Sequence, residues 1–291
     1  GNPICSEMWP GNTADVTTLI PVTQRLRQRF GVGQFCLLAD RGMISANNRK
    51  QLDQWGIPYI LGARMRLVNE IKFAVLGDTG DYQEIYPDNP KPNAPSPLKV
   101  KEVIVADRRY IVCWNDKQAR KDAADRQAIV ASLEQQLQKA PKALVGNKGY
   151  RQYLKLDHGH LTLDQQKLTA DAQYDGKWGL QTNTTLPAAE VALKYKELWQ
   201  VEHVFRDMKS VLDTRPIFHQ RDATIRGHVF CSFLALVLRN ELDRRLELAG
   251  YCLEWSAIKQ DLRALQEITI EDNGKSLAIR SECLGVCGKI F

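Results

Sequence analysis

Phe35–Gly42 reads FCLLADRG, a wholly apolar run of five residues closed by an acid, a base and a glycine. A short, uninterrupted apolar stretch is what a strand covered on both faces requires. The sequence on either side completes a unit around it. Upstream, Thr17–Phe30 carries Val22, Leu26 and Phe30 on one helical stripe, with Pro21 in the first turn and Gly31 and Gly33 as stops. Downstream, Ser45 stands where a helix cap belongs, the helix runs to Trp55, Gly56 ends it, and Ile57–Leu61 (IPYIL) is a second buried strand. Strand, helix and strand with short links form a βαβ unit, hence a parallel pair. Ahead of these, PICSEMW (Pro3–Trp9) reads as another strand, with a turn at Pro10-Gly11-Asn12.

After Arg66 the character changes. Five prolines fall between Pro87 and Pro97, too many for a helix or a central strand. VKEVIVADRRYIVCWN (Val100–Asn115) follows as a hairpin, and Asn115–Lys139 as a long polar helix with a thin stripe of Ile129, Leu133 and Leu137. Leu144–Asn183 returns to short strand-like runs. Leu67–Thr185 is therefore expected to be an inserted, mainly β module, although an independent second domain suits its composition almost as well. The rest is mostly helical. One helix is expected over Pro187–Leu212, an apolar one over Ala223–Leu248 and a third over Glu254–Gln266, with one more strand in the tail.

Composition sets the outer bounds. The chain has 291 residues, 44% hydrophobic and 25% charged, values of a globular protein rather than a disordered or fibrous one. Its longest apolar patch, Val229–Leu238, includes Cys231 and Ser232 and stops at Arg239, short of the roughly 18–20 residues that span a bilayer. The opening GNPICSEMWPGN has neither a basic start nor an apolar core, so no secretory signal is read there. It also lacks an initiator Met, which points to a processed product or a fragment. Seven scattered cysteines, with no Cys-x2-Cys pair, read as reduced thiols rather than a zinc site. The net charge is +6, and between Gln24 and Arg66 eight bases stand against the two acids Asp40 and Asp53. That stretch carries the whole excess, as a polyanion partner would need, although a solvated face is the commoner meaning of such a run.

Two acids stand out by position. Asp40 closes a buried strand at its carboxyl end, where open α/β sheets place functional groups. On position alone, capping the next turn or pairing with Arg41 is equally good. Glu202 falls in the apolar stretch LWQVEHVF. Tyr195, Glu202 and Lys209 are spaced by seven and drift only about 20° per step around a helix, so they share a face. A carboxylate buried among Trp, Val and Phe is costly unless a metal or another cation offsets it. An ion pair with Arg206 at i+4 would do so as well.

Taken together, these residues resemble a bacterial insertion-sequence transposase of the DDE type. The resemblance is to the subgroup with an RNase H-like core and a β-rich insertion between its second and third acids. Asp40-Arg41-Gly42 matches the D-x-G motif of the second acid. Tyr195, Glu202 and Lys209 match the Y-x2-R-x3-E-x6-K motif of the third, with Leu198 in place of the motif's Arg. PGNTAD, YDGKWGLQTN, VEHVFRDMKS, RPIFHQ and IRGHVFCSFLAL are similar too, and the resemblance runs over roughly residues 1–250.

The resemblance implies an α/β fold with an interrupted RNase H-like core in residues 1–66 and 186–250. Residues 67–185 are then the insertion and 251–291 a C-terminal extension. It implies Mg²⁺ (or Mn²⁺) held by Asp40 and Glu202, and DNA contacts from Tyr195, Lys209, Arg206, Arg41, Arg64 and Arg66. The implied partners are double-stranded DNA with terminal inverted repeats and, in the intact protein, a second copy of the chain. The implied setting is the bacterial cytoplasm at the nucleoid, with no membrane. In that family the first catalytic Asp lies on the first strand. PICSEMW would be the third strand, FCLLAD the fourth and IPYIL the fifth, so the first two strands and their Asp are expected to be missing, and Asp15 cannot replace it. An inactive fragment is the expectation. A non-catalytic DNA-binding or subunit-interaction remnant and a metal-dependent nuclease of the same fold are the alternatives.

Overall fold

The computed structural model describes all residues except 1–2, 32, 67–70, 78–79, 87–96, 140–152, 158–159, 211, 213, 284, 286 and 291. The chain divides into two compact units, Trp9–Trp199 and a second made of Gly1–Met8 with Gln200–Phe291. Much of the proline-rich segment lies outside the described residues.

The first unit is built on the βαβ motif. Helix α1 (Asp15–Phe30) starts two residues earlier than expected and ends at Gly31, whose φ of 58° lets its N–H reach the Arg27 carbonyl at 3.1 Å. Pro21 thereby falls in the second turn and cannot bond the Thr17 carbonyl. The buried side chains are Thr18, Leu19 and Thr23, whereas Phe30 is exposed. The core-facing stripe is therefore displaced from the expected Val22, Leu26 and Phe30. Strand β1 is Leu37–Ala39 and leads through a 3₁₀ turn, Arg41–Met43, to α2 (Ala46–Gln54), capped by Ser45 as its spacing predicted. Strand β2 (Tyr59–Ala63) lies parallel to β1, with Leu38 opposite Ile60.

Strand β3 (Gln83–Ile85), β4 (Leu98–Val105) and β5 (Arg108–Trp114) then continue the chain. β4 and β5 form the expected hairpin, through a two-residue turn at Ala106 and Asp107 with φ of 46° and 61°. Positive φ at both positions matches the twist of the two strands. Helix α3 (Asp116–Lys139) is followed by the small hairpin β6 (Leu154–Asp157) and β7 (His160–Leu163). Helix α4 (Gln165–Ala172) was not expected, although Asp164 caps it by accepting from the Lys167 N–H. Strand β8 (Lys177–Thr182) completes a six-stranded mixed sheet in the order β1-β2-β8-β5-β4-β3.

Helix α5 (Ala188–Lys196) lies on one face of this sheet, where Val191 and Ala192 join Ile60, Ile111, Cys113 and Leu180 in a buried cluster. On the opposite face Leu19 and Leu52 close over Ala39, Tyr59 and Leu61. β2 is thus buried from both sides, and the two parallel strands need both helical layers. PICSEMW forms no strand. A strand exists only through its ladder, and among the described residues β1 pairs on one side alone.

The second unit contains α6 (Leu198–Ser210) from Gln200 onward, α7 (Asp222–Leu248) and α8 (Trp255–Ala264). Arg239 of α7 lies 3.0 Å from the Asp207 carboxylate of α6, both groups nearly buried, and its guanidinium sits 4.9 Å over the Trp255 ring. The tail forms two strands rather than one, β9 (Glu267–Asp272) and β10 (Lys275–Arg280), an exposed hairpin. Among the described residues no helix is long and apolar enough to cross a membrane.

Ile60 is wholly buried at the centre of the sheet. Ile60→Ala is expected to lower stability by about 3 kcal/mol in urea denaturation. A loss below about 1 kcal/mol would show that β2 is not the core of this unit.

Candidate active site

Each residue along β1 alternates faces, so Asp40, two positions beyond Leu38, falls on the side of the sheet covered by α5. Leu38 itself packs into the cluster beneath that helix. The Asp40 carboxylate is exposed, its backbone is extended, and its carbonyl accepts the Met43 N–H at 3.0 Å to open the 3₁₀ turn. Of the alternatives to a functional role, capping is not met, because the Asp40 side chain caps no N–H of that turn.

Across the sheet face, Tyr195 at the end of α5 donates its hydroxyl to Asp40 Oδ1 at 3.3 Å. Burial, then the charge of Asp40, then this hydrogen bond push the Tyr195 hydroxyl above its ordinary pKa. It therefore stays protonated near neutrality and acts as a donor.

The turn after Asp40 is secured from two sides. Arg64 donates Nε to the Arg41 carbonyl at 3.0 Å and a terminal nitrogen to the Gly42 carbonyl at 3.3 Å. From the other direction buried Asn48 donates Nδ2 to the Met43 carbonyl at 2.9 Å and to the Val16 carbonyl at 2.7 Å. Asn48 thus ties α2 to α1 and to the turn. A planar guanidinium spread over two adjacent carbonyls holds a loop more firmly than one bond would.

The predicted site residues divide between the two units. Asp40, Arg41, Arg64 and Tyr195 come together in the first. Arg66 belongs to that unit too, ion-paired with Asp171 and stacked 5.0 Å over the Tyr174 ring. Glu202, Arg206 and Lys209 lie on α6, all exposed. Two corrections follow. Tyr195 and Glu202 do not share one helix, since α5 ends at Lys196 and Glu197 turns tightly, its N–H reaching back to the Lys194 carbonyl at 3.1 Å. No Gly or Pro marks that break. Glu202 is also exposed rather than buried among aromatics.

Sequence reasoning missed Gly62, and the signal was there: an isolated glycine inside the strand run YILGA. A Cβ at this position would lie 2.3 Å from the Tyr195 hydroxyl oxygen and 3.0 Å from the Arg41 nitrogen. It also missed Asn48 and the bracing role of Arg64.

The carboxylate oxygens at Asp40 are the hard donors that Mg²⁺ or Mn²⁺ takes, and the Tyr195 bond occupies only part of their lone-pair capacity. In donor chemistry the residue fits a divalent cation. Among the described residues no group of three His, Cys, Asp or Glu side chains is gathered to hold one.

In the comparisons with known proteins, a family model described as a transposase DDE domain matches residues 1–238. No curated protein matches the chain.

Because Glu202 is exposed, Glu202→Gln is expected to change folding stability by less than about 0.5 kcal/mol in thermal or urea unfolding. Stabilisation of several kcal/mol would mean instead that this carboxylate is buried without a partner.

Proposed function

Since the chain belongs to the transposase DDE domain family and so to proteins of DNA transposition, we propose that Asp40 and Glu202 are the second and third acids of its phosphoryl-transfer site. The observation that carries this reading is the Tyr195–Asp40 bond. It joins the strand-end acid to the first residue of the Tyr/Glu/Lys motif across 155 positions of sequence. The parallel β1-α2-β2 unit supports an RNase H-like core. The strands between Gln83 and Thr182, which extend the sheet beyond β2, fit an insertion spanning 67–185.

DDE transposases depend on divalent metal, and in this chain Asp40 and Glu202 would hold Mg²⁺ (or Mn²⁺). When bound, such ions activate the attacking oxygen and stabilise the leaving one during phosphodiester exchange. The protein's own part is to place the carboxylates and the DNA backbone. Tyr195, the Arg64 brace and Asn48 fix the position of Asp40. Exposed Arg41, Arg206 and Lys209 are suited to phosphate contacts, which orient a duplex without reading its sequence. Arg64 is engaged with the turn after Asp40 and shapes the surface there, whereas Arg66 is tied to Asp171 and Tyr174. Tyr195 in turn meets DNA only beside the acid it holds. Transposases bind the ends of their element, and terminal inverted repeats are the DNA proposed here, with a second copy of the chain in the intact assembly.

A second reading, DNA binding without chemistry, draws support from the exposed Arg25, Arg27 and Arg29 on α1. The family's site uses three acids, and Asp40 and Glu202 by themselves are expected not to cut.

Strand nicking on an inverted-repeat duplex with Mg²⁺ or Mn²⁺ tests both readings. Activity requires a third acid beside these two, and it should vanish with Asp40→Asn or Glu202→Gln. Duplex binding by residues 1–291 should be sequence-tolerant and fall steeply with salt, and Lys209→Ala should weaken it on every sequence. Protein that nicks as well after Asp40→Asn would remove Asp40 from the chemistry. Metal-dependent nicking by residues 1–291 would show that the first acid lies within them.

A further inference from the structure

Gly62 lies on the same sheet face as Ile60, opposite Leu180 of β8 and beneath α5. Its φ is not in the left-handed region, so the backbone at this position does not require glycine. A glycine inside a strand weakens it, and it often marks a place where another group approaches closely. Here that group is identifiable. A methyl at position 62 would meet the Tyr195 hydroxyl oxygen at 2.3 Å, Tyr195 Cζ at 3.2 Å and the backbone nitrogen of Arg41 at 3.0 Å. The Arg41 nitrogen is fixed by the braced turn. The tyrosine ring is partly buried and packed against the cluster of Ile60, Leu180 and Val191.

We propose that Tyr195 is a positioning residue for Asp40: its hydroxyl reaches the carboxylate through the gap that Gly62 leaves, and this contact fixes which lone pairs of Asp40 face a divalent cation. The inference rests on the reading of Asp40 as a metal ligand. A carboxylate on an exposed strand end otherwise rotates freely and must be ordered when a cation binds. Tyr195 Oη donates its single proton to Oδ1, which leaves Oδ2 and the remaining lone pair of Oδ1 for the metal. Groups that orient a metal's ligands in this way typically change its affinity by about 10–100-fold when removed. The role assigned to Gly62 is to supply space.

Mn²⁺ binding to the full chain, followed by electron paramagnetic resonance, tests this without relying on activity. The proteins are the native chain, Asp40→Asn, Tyr195→Phe, Gly62→Ala and the Tyr195→Phe/Gly62→Ala pair, with circular dichroism to confirm folding. Tyr195→Phe keeps the packed ring and removes only the hydroxyl. Asp40→Asn should abolish binding, and Tyr195→Phe and Gly62→Ala should each weaken it by about tenfold. The double variant should lose less than the two single losses combined, because both remove the hydroxyl contact, while the methyl's approach to the Arg41 nitrogen adds only its own smaller share. A merely structural role for either residue would give additive losses or none. If Asp40→Asn loses Mn²⁺ while Tyr195→Phe binds like the native chain, the positioning role is overturned and the reading of Asp40 stands. If the native chain binds no Mn²⁺, or Asp40→Asn binds it unchanged, the reading of Asp40 fails and this inference fails with it.

Discussion

Burial of strand β2 on both faces is the constraint on which the first unit depends. Ile60 and Leu61 are each removed from water, one beneath α5 and the other beneath the layer of α1 and α2. Side chains of adjacent strand residues point to opposite faces, so a strand of this kind cannot slip by one residue without exchanging its two hydrophobic sets. With β2 fixed, β1 has a single parallel register beside it. The end of β1, and so the position of Asp40, follows from that register. The same burial places α5 over the sheet at a height that brings Tyr195 to the carboxylate.

The site is thus a product of packing rather than of a local loop motif. Arg64, one residue beyond β2, reaches back to the carbonyls of the turn after Asp40. Asn48, on the helix between the two strands, holds the same turn from the other side. The helix of the βαβ unit and the residue just after its second strand therefore each send one side chain to the turn that presents the acid. An exposed carboxylate on such a support can meet a cation or a phosphate-bound metal with little rearrangement, which is what catalysis by prearranged charge requires.

Much of this was legible in the sequence. The apolar run before Asp40, the Ser45 cap and the Gly56 stop specify a strand-helix-strand unit, because each is a local signal with a local cause. The hairpin at Val100–Asn115 was legible for the same reason. Features set by distant packing were not. The break at Glu197 has no Gly or Pro to announce it, and it separates Tyr195 from the helix of Glu202. PICSEMW has strand-like composition, but a strand needs a partner and none of the described residues supplies one. The exposure of Glu202 also could not be read from its apolar neighbours, since an apolar stretch on an amphipathic helix says nothing about which way one residue in it faces. Asp164 and its helix were obscured by the short apolar runs on either side. Gly62 was visible as a glycine in a strand, but its meaning appears only once Tyr195 is seen beside it.

Under the proposed function, Asp40 and Glu202 serve one metal-dependent phosphoryl-transfer site. The most direct test is crystallography of the protein bound to an inverted-repeat end in the presence of Mn²⁺, with the metal located by anomalous scattering. Metal density is expected in coordination contact with a carboxylate oxygen of Asp40 and with one of Glu202, at one ion or at a pair about 3.5–4 Å apart. Metal density touching neither residue, or two carboxylates too far apart to serve such a pair on bound DNA, would contradict it.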